Sequence, residues 1–381
     1  MSFESVDNLQ KVLATTVFSH TKDAKKASGR ALGTLVELVT FYLLKSWGFE
    51  HSVSIERALA EYGNLEITHN VEYSLHPILR AEKLAVQLPK LPLSAAKILA
   101  AAEAHHFSHI GFARSDRKLL TTDKILRNGC VVSSRLGSHL VATLDSFEGN
   151  KYGVEIVEQF SRPYAIFECK RVGVEEGMKK GPQTIEKAKQ GAYVAKSVSS
   201  LHKIRKSSGE LQGLIVKDDG TLYSKPYEDL ILEIINSEIP ELLREFILTV
   251  GVVSNHGNWF TSDNHNKELK VLAQSYDWLL FLTDEGLSEF ISELLLKPEP
   301  LLLPARTAFL ASYTFDKKHN QFTKVQMNYE ADQVLQSYFH DNEARIESWF
   351  NVITPKGRAV AMLQSELALL RDKNWKKVHQ L

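Results

Sequence analysis

Glu168 and Lys170 stand two residues apart in the apolar run 164–170 (YAIFECK). That composition predicts a β-strand, in which side chains alternate, so both groups share one face about 6–7 Å apart. Cys169 points the other way, toward the core. The pair suits phosphodiester hydrolysis. A hard divalent cation takes carboxylate oxygens. Negative charge developing on an attacked phosphodiester needs neutralising. A lysine beside the cation can position the attacking water or help remove its proton. The Cys169 carbonyl offers one further oxygen ligand.

A cation needs a second carboxylate. Glu155 precedes Glu168 by 13 residues, in a run where Val154, Ile156 and Val157 predict another strand. Ser161, Arg162 and Pro163 between the runs predict a turn, hence a hairpin. Its pairing would bring Glu155 close to the level of Glu168 and Lys170. Asp145 and Glu148, just ahead of the hairpin, are the other candidates.

These strands need a scaffold. Leu32, Leu35, Val36, Val39 and Leu43 recur at helical spacing and predict an amphipathic helix over 28–49. Residues 51–125 are expected to be mostly helical, with Ser94 capping a helix through Ile98 and Leu99 to Ala104; 65–73 is the one candidate strand there. The chain turns β-like after Gly129, and 138–147 fits either a strand or a helix. Beyond the hairpin come a basic helix (184–196), a strand (246–253), a helix (268–273), a strand (277–282, DWLLFL) and a helix (287–296). A Pro-punctuated linker (297–304) leads into a mainly helical remainder. The order implies an α/β protein, a mixed central sheet flanked by helices. The expected organisation is N-terminal core helices (1–50), a helical insertion (51–125), a catalytic core (126–296) and a helical C-terminal region (297–381).

The 381 residues carry 46 Lys plus Arg and 46 Asp plus Glu, which excludes a globally basic nucleic-acid coat. The balance is uneven along the chain. From Glu168 to Lys206 ten basic residues face four acidic ones. Lys179, Lys180 and Lys187 lie in this run, where they would give salt-dependent, sequence-independent grip on phosphates. Two cysteines exclude a disulfide framework and a four-cysteine zinc site. Their scarcity, an acidic N-terminus unlike a secretory signal, and no apolar run near the ~18 residues of a transmembrane span predict a cytoplasmic protein without membrane contact. The loop histidines His256 and His265 lack an organised ligand spacing.

The arrangement GVEIV, turn, AIFECK resembles the PD-(D/E)xK nuclease superfamily, which contains most type II restriction endonucleases. There, an acidic residue on one strand precedes a (D/E)xK triplet on the next. Glu168 and Lys170 match the triplet, while Glu155 stands where the family usually has Asp. The resemblance extends to a first core helix with a site-facing glutamate, here Glu37, and to a basic helix with glutamines, here Gln183 and Gln190. It implies a restriction-endonuclease-like fold and Mg²⁺-dependent cleavage of double-stranded DNA, leaving a 5′-phosphate and a 3′-hydroxyl. Mg²⁺ would be held by Glu155 (or Asp145), Glu168 and the Cys169 carbonyl, and Lys170 would orient the water. Specificity would reside in 51–125, the loops from Arg127 to Arg135, and the C-terminal third. A homodimer and a cognate DNA methyltransferase are the implied partners.

Overall fold

The computed structural model describes residues 6–172, 191–199, 201–217, 219–255, 267–313 and 320–380. Its main sheet has six strands in the order Val53–Ile55, Tyr73–Leu75, Ala165–Val172, Leu248–Asn255, Trp278–Leu282 and Phe350–Thr354. The first three alternate in direction, the next two run parallel to the third, and the last is antiparallel. All five residues of Trp278–Leu282 are buried. Such continuous apolar runs belong to parallel strands covered on both faces.

The helix Ala24–Ser46 covers one face. Asp23 caps it, accepting from the Lys26 N–H at 2.9 Å. Leu32, Leu35, Val36 and Val39 are buried in one core with Phe167, Cys169, Val250 and Leu280. The opposite face carries the helical segment 191–198 and the helix Lys267–Ser275. There Val194 and Val198 pack with Ile166, and Leu272 and Tyr276 pack with Leu279. The α/β class and the mixed, helix-flanked sheet are as the sequence predicts. No helix among the described residues is long and apolar enough to cross a membrane.

Two expectations are corrected. Residues 51–125 hold far more strand than helix, and Ala95–Ala104 is their only helix. It starts after Ser94, but the Ser94 side chain makes no capping hydrogen bond. The decapeptide ILRAEKLAVQ (Ile78–Gln87) is rich in helix formers yet forms a long strand, because it pairs with Lys151–Phe160 over Leu84 and Val86. The expected hairpin is also absent. Lys151–Phe160 pairs with Ile78–Gln87 and Ser138–Glu148 in a separate five-stranded antiparallel sheet. The chain leaves that sheet at Ser161–Pro163 and enters the main one. The neighbour of Ala165–Val172 is instead Tyr73–Leu75, supplied by the 51–125 segment. Phe350–Thr354, from the C-terminal region, closes the far edge. The main sheet thus draws strands from both sides of the expected 126–296 core.

Candidate active site

Glu168 and Lys170 share a face near the C-terminal end of their strand, and Lys170 Nζ lies 3.0 Å from Glu168 Oε2. The Glu168 side chain is 1% exposed and that of Lys170 30%. Lys170 thus leads from the buried carboxylate to solvent. Glu168 Oε1 is buried and has no hydrogen-bond partner among the described residues. A buried carboxylate oxygen without a donor is costly unless a ligand satisfies it.

Glycines shape the space beside Glu168. Gly251 is its partner on the adjacent parallel strand, and a Cβ there would come within 2.7 Å of the Tyr276 ring. A Cβ on Gly191 would meet Tyr276 Oη at 2.5 Å and Glu168 Cβ at 3.4 Å. Only glycine at both positions lets the Tyr276 ring lie this close. Burial, reinforced by the charges of Glu168 and Cys169, holds the Tyr276 phenol well above its usual range, so it stays protonated.

Cys169 points to the other face, as predicted. Burial pushes its thiol up, with Thr40 partly opposing through a hydrogen bond, so only its backbone remains on the Glu168 side. Glu37 projects from the long helix toward Lys324, whose Nζ lies 3.3 Å from Glu37 Oε2 and 3.0 Å from Glu56 Oε1. The closest partner of Lys324 is Glu72, and both side chains are buried. Tyr73 joins the group, donating from Oη to the Glu37 carbonyl at 2.8 Å.

Glu72 was not singled out by sequence reasoning, yet it opens the strand beside Glu168. The antiparallel register pairs Tyr73 with Phe167, so Glu72 and Glu168 are the next positions along it. The available signal was an acidic residue opening the short run YSL, at the end of the candidate strand 65–73. Nothing local marks Glu56 or Lys324.

The remaining predicted residues divide. Glu155 and Asp145 meet each other and His51 in a cavity of about 560 Å³, on the antiparallel sheet. They do not join Glu168, because the hairpin that would have brought Glu155 to it does not form. Arg135 is engaged: Nη2 donates to Glu158 Oε1 at 2.7 Å, Nε to Ser138 Oγ at 2.9 Å, and its guanidinium lies 4.5 Å from the Phe112 ring centre. Arg80 holds the other Glu158 oxygen. Burial works against the Glu158 charge, but Ser138, Arg80 and Arg135 outweigh it and hold the carboxyl below its usual range. Lys179, Lys180, Gln183, Lys187 and Gln190, like His256 and His265, lie outside the described residues. Of the basic run, Lys203 is turned inward, donating to the Tyr276 carbonyl and lying 3.8 Å from Asp277.

The donor set fits a hard divalent cation. Glu168 keeps a buried oxygen with no hydrogen bond among the described residues, and Glu37, Glu56 and Glu72 gather around the compact positive charge of Lys324, so the oxygen donors on offer are carboxylates. No protein-family model matches the chain, and neither a curated protein nor a solved structure matches it.

Proposed function

We propose that the chain is a Mg²⁺-dependent endonuclease of restriction-endonuclease-like fold, hydrolysing phosphodiester bonds of double-stranded DNA as a type II restriction enzyme does. The observation that carries this reading is the pairing of Tyr73 with Phe167, which puts Glu72, just ahead of its strand, one step further along toward the level of Glu168. An acidic residue opens one strand, and the Glu168–Lys170 triplet lies on its antiparallel neighbour. The long helix bearing Glu37 precedes both, and a parallel strand follows. Glu72 thereby takes the role that the sequence reading gave to Glu155.

Glu72 and Glu168 would hold Mg²⁺, with Glu37 beside them. Mg²⁺, when bound, neutralises charge on the scissile phosphate as a Lewis acid. Glu168 offers Oε1 to it and keeps Oε2 on Lys170. That contact orients the Lys170 ammonium at the solvent-facing rim, where it positions the attacking water and counters charge in the transition state. Lys324 balances Glu37, Glu56 and Glu72 while the cation is absent. Arg57, next to Glu56, has no acidic partner among the described residues, and its Nη1 is buried without a hydrogen bond. A guanidinium without an acidic partner suits a phosphate backbone. Cutting both strands calls for two such sites, hence a homodimer on DNA. A host of such an enzyme needs a cognate methyltransferase.

The test is digestion of phage and plasmid DNA by the full chain with Mg²⁺, beside Lys170→Ala and Glu168→Gln. Discrete bands with 5′-phosphate ends are expected, with cleavage reduced roughly 10²–10⁴-fold in each variant. A smear or structure-dependent nicking points to a repair or recombination nuclease of the same fold. Wild-type rates in Lys170→Ala, or intact DNA throughout, overturn the reading.

A further inference from the structure

Glu155 and Asp145 come together on the antiparallel sheet, on strands other than the one that carries Glu168. One ligand atom from each and one from His51 all lie within 4.8 Å of one another. The three come from separate places: the turn after the long helix, the strand Ser138–Glu148 and the strand Lys151–Phe160. Asp145 falls where the register slips between Leu144 and Ser146, so it is the extra, unpaired residue of a β-bulge. Bulges re-aim side chains in this way.

Thr143 holds the His51 ring in place. Its hydroxyl oxygen lies 3.2 Å from His51 Nδ1 and 3.5 Å from the Glu155 carbonyl oxygen. The His51 carbonyl is itself fixed by Gln159 Nε2 at 2.7 Å. His51 Nε2 faces carboxylate oxygens, 3.6 Å from Glu155 Oε2 and 3.3 Å from Glu50 Oε1. A ligating imidazole is oriented by its other nitrogen in this manner. Glu50 Oε2 is buried and lacks a partner among the described residues, on the wall of the same cavity. The Glu155 side chain is only 12% exposed, and its nearest competing cation, Lys83 at 3.6 Å, is 79% exposed and free to swing away.

We infer that His51, Asp145 and Glu155 form a second divalent-cation site, built for a first-row transition ion such as Mn²⁺ or Zn²⁺ and not for Mg²⁺. The imidazole decides the class: Mg²⁺ takes oxygen ligands almost alone, whereas Mn²⁺ and Zn²⁺ accept nitrogen with carboxylates. The inference stands whether or not the chain is a nuclease.

Mn²⁺ titration of the full-length Glu168→Gln protein, read by pulsed electron paramagnetic resonance, isolates the site. Imidazole ¹⁴N modulation marks an ion on histidine, which the all-carboxylate cluster around Glu72 does not give. One Mn²⁺ with ¹⁴N modulation is expected in wild type and in Glu168→Gln. His51→Gln should lose the modulation and weaken that ion at least about tenfold, and Asp145→Asn should weaken it while keeping the modulation. Circular dichroism on each variant separates a folding failure from a lost ligand. Absence of ¹⁴N modulation in wild type, its persistence in folded His51→Gln, or displacement of the ion by equimolar Mg²⁺ overturns the inference.

Discussion

Lys324 and Glu72, far apart in the chain, form a buried ion pair at the start of the strand next to Glu168. Glu37 and Glu56 complete a set of three carboxylates around one ammonium. Replacing Lys324 by Met leaves the buried Glu72 carboxylate without its cation, beside the part-exposed Glu37 and the exposed Glu56. Removing one partner of a buried pair costs about 3 kcal/mol or more. Lys324→Met should therefore melt well below wild type in EDTA. Added Mg²⁺ should restore more of that loss than it adds to wild type, since the carboxylates gain a substitute charge. Calorimetry with and without Mg²⁺ tests this, and an unchanged melting temperature in EDTA would remove Lys324 from the site.

Gly191 and Gly251 make room for Tyr276 beside Glu168. Gly191→Ala would drive a methyl group into the Tyr276 hydroxyl, forcing the ring or the 191–198 segment to shift. Overpacking of this kind costs roughly 1–3 kcal/mol. The displacement adjoins the Glu168 stem, so cleavage should fall as well. Gly191→Ala combined with Tyr276→Phe, which removes the clashing oxygen, should recover both losses in part. If the double variant is no better than Gly191→Ala, Tyr276 is not what sets the spacing.

The site was legible where its logic is local. Glu168 and Lys170 share a face because strand side chains alternate, and the helix carrying Glu37 announces itself by its apolar spacing. Pairing between strands is not local. Val154 to Val157 and YAIFECK are consecutive β segments with a turn between them, and such neighbours usually pair. Here Ser161–Pro163 instead carries the chain from one sheet to another, so Glu155 goes to His51, and the neighbour of the Glu168 strand comes from the end of the one candidate strand (65–73) in a segment otherwise expected to be helical. The Ala, Glu, Lys and Leu content of 78–87 favours a helix in isolation. Burial of Leu84 and Val86 against Ile156 and Leu140 overrides it. Lys324 lies in a C-terminal region that suggested recognition elements, and nothing short of the tertiary fold reveals its place among the glutamates.

One buried histidine and one half-buried histidine tie stability to pH. His76 donates from Nδ1 to the Phe160 carbonyl and accepts at Nε2 from Ser74, an arrangement that suits the neutral ring. Burial, then Arg57, holds it well below its usual range. His139 is pushed down to about 4 by burial, Arg57 and Arg117. Unfolded, each titrates near pH ~6.5. Below that pH the unfolded chain takes up protons that the folded chain refuses. The stabilisation is therefore full above pH ~6.5 and is lost as pH falls toward the folded value. Urea midpoints for wild type should fall between pH 7 and pH 4.5, and those of His139→Gln should fall less. Asp277, which burial raises to about 6, gains stability over part of the same interval but is common to both proteins. Parallel pH profiles for the two proteins would rule out His139 as a contributor.

Substitution of Arg57 separates the proposed grip on DNA from stability. Arg57 Nη2 donates to Gln159 Oε1 at 3.2 Å, an oxygen that also accepts from Ser54 at 2.8 Å. Its Nη1 is buried with no partner among the described residues, and burial together with Arg117 lowers the guanidinium to about 9. A buried cation without an acid costs the fold stability. Arg57→Met keeps most of the apolar stem and leaves Gln159 bonded to Ser54, so the variant should be as stable as wild type or slightly more so. If Arg57 awaits a phosphate, the same change should weaken DNA binding across all sequences and lower the slope of log affinity against log salt by about one. Fluorescence anisotropy on a short duplex over a salt series, with Ca²⁺ replacing Mg²⁺ to prevent cleavage, measures that slope. An unchanged slope with unchanged affinity would mean that Arg57 meets no phosphate and that the DNA approaches the carboxylates from another side.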